Sequence, residues 1–138
     1  MIAYVDSSVV LRIILGQKDK LREWRRIRTG VASALVEVEC LRTLDRLRLA
    51  GRLADVELAR RRETAFRLAG EMERVDITRP VLDRASQPFP CALGTLDAIH
   101  LATALLWRES VARDLVLATH DDALAAAARA LGFPVAGA

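Results

Sequence analysis

The chain has 138 residues, 52% of them apolar and 28% charged, with a net charge of +3. That is the length of one ordinary domain, with enough apolar residues for a core and too many for a disordered chain. The mildly basic balance suits a polyanionic partner without requiring one, and the cations are nearly all Arg, with Lys only at 18 and 20.

Residues 2–5, IAYV, form a short apolar run of β-formers closed by Asp6, as in a buried strand. Ser7 or Ser8 can cap a helix there, and Gly16 ends it. Residues 17–28 are basic and read as helical, and 30–33, GVAS, as a very short second strand. From there, apolar residues at 35, 38, 41, 44 and 47 mark a helical stripe stopped by Gly51. Residues 54–72 read as a charged amphipathic helix, 75–78 as a third strand, and Pro80 as part of the first turn of a short helix. Pro88 and Pro90 break 86–94 into a loop. Residues 95–109 read as a mostly apolar helix and 114–119 as a fourth strand. A capped helix ending at Gly132 and a brief last strand complete the chain. Strands alternating with helices predict one α/β domain over 1–138: a three-layer α/β/α sandwich on a short, mostly parallel sheet.

Cys40 and Cys91 form no CxxC pair and no zinc-spaced cluster with His100 or His120, which predicts free thiols. The first apolar run is too short for a signal peptide, and no stretch has the length of a membrane span. The expectation is a soluble, cytoplasmic protein.

Several acids fall at strand ends. Asp6 follows the first strand, and Asp121 follows the fourth across Thr119 and His120. Asp97 opens a helix after a loop, and Glu39 borders the apolar stripe of the helix after the second strand. Ligands of an open parallel sheet bind at the carboxyl ends of its strands. Four carboxylates converging there would suit magnesium or manganese with water completing the shell. Each Asp also has a plainer reading as a helix cap, and Glu39 as a solvated helix residue.

At this point YVDSSVVLRI, SALVEVECLRTL, TLDAIHLATAL and LATHDDALAAAARALG resemble the four successive motifs of the PIN domain, more narrowly of VapC-type toxins. The second motif selects Glu39 over Glu37, six residues after Ser33. The fourth, Thr-x-Asp, selects Asp121, with Asp122 beside it as the alternative fourth acid. The resemblance implies a PIN-like fold and a metal-dependent endoribonuclease giving 5′-phosphate and 3′-hydroxyl products. It implies Mg2+, or Mn2+, held mainly by Asp6 and Asp97, with Glu39 and Asp121 binding a second ion or orienting water. Ser7 and Thr119 are candidates to hold the carboxylates in place. It further implies a structured RNA substrate such as tRNA, a cognate VapB-type antitoxin that blocks the site, and a homodimer.

His100, among Ile99, Leu101 and Ala102, reads as a hydrogen-bonded structural residue rather than a catalytic base, and His120 as a surface residue near the rim. Arg12, Lys18, Lys20, Arg22, Arg25 and Arg26 are candidates for RNA or antitoxin contacts. Their alternative is a solvated helix face with local pairs such as Glu23 with Arg26. Aromatics at 4% argue against a module built on base stacking, so Trp24 and Trp107 read as packing residues. Two other functions compete. An aspartyl-phosphate enzyme would want a second acid two residues after Asp6, which DSSVV lacks. A catalytically silent PIN-like RNA- or protein-binding module would be expected to have lost one of the four acids.

Overall fold

A computed structural model describes residues 1–138. Five parallel strands, β1 (Ile2–Val5), β2 (Thr29–Ser33), β3 (Glu73–Val75), β4 (Val116–Ala118) and β5 (Val135–Ala136), form one sheet in the order β3-β2-β1-β4-β5. Six helices connect them: α1 (Ser7–Ile14), α2 (Leu35–Leu49), α3 (Asp55–Glu71), α4 (Arg79–Ala85), α5 (Thr95–Ser110) and α6 (Asp122–Ala130). No helix is long and apolar enough to cross a membrane.

The strand pleat sorts the core into two layers. Along β1, Ala3 and Val5 face one side and Tyr4 the other, as successive strand residues must. Ala3, Val5, Ala32 and Ala118 pack with Val9, Val10 and Ile14 of α1, Val36, Cys40 and Leu44 of α2, and Leu68 of α3. Tyr4, Val31 and Leu117 pack with Leu101 and Leu105 of α5 and Leu124 and Ala128 of α6. Helices therefore cover both faces, as the alternating pattern predicts for a three-layer α/β/α sandwich. Leu44 is fully buried in the first layer. Leu44→Ala is expected to cost ~2–5 kcal/mol in urea unfolding, with the denaturant dependence unchanged.

Four local readings change. Residues 17–28 are not a helix: only Trp24–Arg26 form a single 3-10 turn, and the Glu23–Arg26 side-chain pair is absent. The segment's apolar residues Leu21, Trp24 and Ile27 recur every third position and dock on the first core layer around that single turn. The fully buried face of α2 runs through Val36, Cys40 and Leu44; of the predicted 35-38-41-44-47 stripe it shares Leu44, with Leu41 packing beside it and Val38 half exposed. Leucines and valines occur on both sides of that helix, so periodicity alone chose the wrong seam. β3 ends at Val75 rather than beginning there, because Glu73–Val75 pair with Val31–Ser33. Finally, α1 is not capped by Ser7 or Ser8. Asp6 occupies the cap position, with no side-chain bond to the helix backbone. The predicted stops hold: Gly16 (φ 65°) and Gly51 (φ 71°) take the left-handed conformation that ends a helix.

This strand order puts β1 and β4 side by side at the reversal of winding. In such sheets the helices on either side of that point leave opposite faces and open a crevice beyond the strand ends. Asp6 leaves β1 and Thr119 leaves β4 at this place.

Candidate active site

A cleft of about 460 Å³ opens at this crevice, with Asp6, Glu39, Asp97 and Asp121 all lining it. Leu11, Leu35, Val38 and Leu96 form its apolar walls. Asp121 lines it and Asp122 does not.

Each acid is held differently. Asp6 is almost buried, and its backbone N–H continues the ladder to Ala118 O (3.0 Å). Its Oδ2 accepts from Ser8 Oγ (2.7 Å) and Thr119 Oγ1 (2.9 Å). Two hydroxyl donors, rather than helix N–H groups, fix this carboxylate, so the capping alternative for Asp6 falls. Asp121 does cap: its Oδ1 accepts from Leu124 N–H (2.8 Å). Its own N–H donates to Thr119 Oγ1 (3.0 Å), so one threonine ties together the acids after β1 and β4. Asp97 stands three residues after the α5 N-cap, Gly94, where the helix dipole favours negative charge. Burial and the charges of Asp121 and Asp6 nevertheless raise its pKa.

Glu39 is the fifth residue of α2. Its Oε1 accepts from Ser7 Oγ (2.7 Å) and from His100 Nε2 (2.5 Å). The other ring nitrogen, Nδ1, meets the buried Tyr4 hydroxyl at 2.7 Å. With Nε2 donating to Glu39, a neutral ring accepts from Tyr4 at Nδ1. The chain Tyr4–His100–Glu39 thus runs from the core layer under the central strand β1 to the cleft. Burial opposes both ions. Their mutual hydrogen bond and attraction nevertheless raise the His100 pKa, with Asp6 contributing, and lower that of Glu39, with Ser7 contributing. Burial, then the charges of Glu39 and Asp6, pushes the neighbouring Cys40 thiol up to about 12, so this buried cysteine is inert as a nucleophile. Cys91 is also a free thiol, exposed at the surface.

The predicted supports sit where the carboxylates are, Ser7 against Glu39 and Thr119 against Asp6. Ser8 was read only as a cap, and Tyr4 only as a strand residue. Ser8 stands two residues after the Asp6 it bonds, a spacing open to local reading, whereas Tyr4 meets His100 across 96 residues and has no local signal. The basic candidates are elsewhere. Arg12 pairs with Asp19 (2.7 Å), and with Lys18, Lys20, Arg22 and His120 it lines a separate cleft of about 510 Å³. Arg25 and Arg26 lie in the 3-10 turn, outside both clefts. The cations that do line the acidic cleft are Arg42 and Arg46. Their spacing from Glu39, three and seven residues on, was a helical signal available in the sequence. Of the two tryptophans, Trp107 is buried and donates from Nε1 to Glu73 (3.3 Å), and Trp24 packs against the first core layer.

The donor chemistry fits a hard divalent cation. All four acids offer oxygen, and none forms an ion pair with Lys or Arg, the only partner of that kind being His100. No three His, Cys, Asp or Glu side chains are grouped closely enough to hold an ion as they stand. The arrangement is therefore not a closed cage. It fits the sparser mode in which one or two carboxylates hold an ion that keeps most of its water, as magnesium prefers.

A PIN domain family model matches residues 3–130. The chain is 37% identical over 139 aligned positions to Ribonuclease VapC46 of Mycobacterium tuberculosis (strain ATCC 25618 / H37Rv), covering 96% of this chain and 94% of that protein. It is 29% identical to Ribonuclease VapC47 of Mycobacterium tuberculosis (strain CDC 1551 / Oshkosh), again covering 96% and 94%. Its fold is similar to that in a toxin–antitoxin complex from Klebsiella pneumoniae, with TM-score 0.60, 17% identity and 86% of each chain covered. It is also similar to the crystal structure of PAE2754 from Pyrobaculum aerophilum, with TM-score 0.62, 18% identity, and 98% of this chain and 83% of that one covered. The strand order, the acids at the switch point and a sequence match spanning nearly the whole length agree, and the chain belongs to the PIN domain family, in its VapC-type branch.

Proposed function

We propose that this protein is a metal-dependent endoribonuclease and the toxin of a toxin–antitoxin pair. The observation that carries the reading is the gathering of Asp6, Glu39, Asp97 and Asp121 in one cleft at the switch point, with no Lys or Arg neutralising them. The likeness to proteins named Ribonuclease VapC supports RNA as the substrate, tRNA being one structured candidate, and a VapB-type antitoxin as partner. A homodimer is part of the same reading.

Asp6 and Asp97 would hold Mg2+ or Mn2+, directly or through water, and Glu39 and Asp121 would bind a second ion or orient the attacking water. Such an ion lowers the pKa of bound water and offsets charge on the phosphate oxygens. The chain's own part is positioning. Ser8 and Thr119 fix one oxygen of Asp6, leaving its other oxygen for the cleft. Ser7 and His100 both bond the same oxygen of Glu39, so Oε2 is the one left to accept a proton from, or orient, a water. Apolar Leu35, Val38 and Leu96 limit bulk water around the reacting phosphate.

Thermal unfolding with added Mg2+ or Mn2+ tests the ion site without reference to activity. Wild type is expected to gain about 2.7 kcal/mol at a hundredfold excess over Kd. Asp6→Asn and Asp97→Asn should each lose that gain. RNA cleavage that persists undiminished in excess chelator would overturn the metal-dependent reading.

A further inference from the structure

Glu39 is not the only residue that α2 presents to the cleft. Arg42, Thr43 and Arg46 follow it at three, four and seven residues and line the same cavity. The cleft thus has a carboxylate floor and a guanidinium lip. On an ordinary helix Glu39 and Arg42 would be placed to pair at i,i+3. Here His100 and Ser7 hold Glu39 inward, and Arg42 turns to Asp45 instead (3.1 Å, with 60% of its side chain exposed). Arg48 shares that same Asp45. Arg46 has no carboxylate partner at all. Its Nη2 donates to Thr43 Oγ1 (3.0 Å), and that hydroxyl donates in turn to the Glu39 carbonyl (2.9 Å). The threonine therefore orients a guanidinium whose charge nothing in the protein neutralises.

We infer that Arg42 and Arg46 form a phosphate track that holds the RNA backbone alongside the acidic floor. The inference rests on the ribonuclease reading of this cleft. Arg42 and Arg46 are four residues apart on α2, a rise of about 6 Å, and Arg46 stands about 10 Å along the axis from Glu39, so the two arginines meet neighbouring phosphates of one strand, on one side of the bond to be cut. Guanidinium suits this because its planar fork bonds phosphate oxygens in pairs. An acidic peptide would satisfy Arg46 but would bring more carboxylates against four existing ones. A phosphodiester strand carries its charge on the backbone, one per nucleotide, and can reach floor and lip together.

The test is equilibrium binding of a fluorescent single-stranded RNA to Asp97→Asn protein, with magnesium present, across a salt series. Adding Arg46→Gln or Arg42→Gln should each weaken binding about fivefold or more and reduce the slope of log K against log salt by about 0.7. Gln keeps helix propensity, and matching thermal midpoints check the fold. Arg67→Gln, which removes a surface cation paired with Glu71, is the control and should leave the slope unchanged. If the Asp97→Asn protein binds RNA and the double variant binds it equally, with equal slope, the track is wrong and the ribonuclease reading stands. If instead the arginine variants lose binding to a poly-glutamate peptide while RNA affinity holds, the lip is a protein surface and the inference falls. Failure of the parent to bind RNA, together with no cleavage by wild type, overturns the ribonuclease reading and the track with it.

Discussion

Asp97→Asn is expected to abolish RNA cleavage, by about a thousandfold or more, which is ~4 kcal/mol of activation barrier. Asp6→Asn should do the same. The two substitutions differ in what they do to the free protein. Asp97 is a carboxyl whose folded pKa is raised by burial and by Asp121 and Asp6. Such a group binds its proton more tightly folded than unfolded. It therefore weakens the fold as pH rises past the ordinary carboxylate range, and the effect is complete above the raised value. At neutral pH and without divalent cation, the uncharged Asn removes that repulsion, so Asp97→Asn should melt higher than wild type. Asp6 is different, because its Oδ2 holds Ser8 and Thr119. Asn can supply one acceptor oxygen but no charge, so Asp6→Asn gains no comparable stability. An active Asp97→Asn enzyme with wild-type rates would refute the role proposed for that acid. A lower melting point without cation would refute the electrostatic account.

The second large effect is expected from His100→Ala. His100 is fully buried and bonds both Tyr4 and Glu39. Alanine leaves a cavity, a buried tyrosine hydroxyl without its partner and a half-buried carboxylate without its imidazole donor. Together these should cost about 3 kcal/mol, or roughly 10 °C in Tm for a domain of this size. Tyr4→Phe removes only the hydroxyl, and about 1 kcal/mol is expected. Cleavage should fall most in His100→Ala, where Glu39 is held by Ser7 alone, and less in Tyr4→Phe, where His100 keeps its bond to Glu39 but loses the hydroxyl that orients its ring. Calorimetry of the two variants distinguishes the chain of bonds from a generic packing role. If Tyr4→Phe is as damaging as His100→Ala, the loss lies in the Tyr4 hydroxyl and not in the link from His100 to Glu39.

Much of this molecule was legible before its fold. Ile2–Val5, Leu35–Leu49, Asp55–Glu71 and Thr95–Ser110 carry strong local patterns and form where those patterns place them. The basic segment after Gly16 misled, because Leu21, Trp24 and Ile27 look helical in spacing yet dock on the core around one 3-10 turn. The stripe of α2 misled in a subtler way. Apolar residues occupy both its sides, and the side buried is the one that meets Val9, Val10 and Leu68. Four acids at strand ends were visible as candidates, and only a resemblance ranked them above helix caps.

What the amino-acid order determined by itself is the succession of strands and helices, the acids that close β1 and follow β4, and the family motifs around them. These are local properties, set by periodicities of two and 3.6 and by residues adjacent in the chain. The tertiary structure decided the rest. It placed Asp121 rather than Asp122 in the cleft, joined Tyr4 to His100 across 96 residues and His100 to Glu39 across 61, and turned Arg46 rather than Arg12 toward the acids. Those pairings depend on strand order and on which helix face the core claims. No local pattern encodes them, because the partners come within bonding distance only after the sheet has assembled.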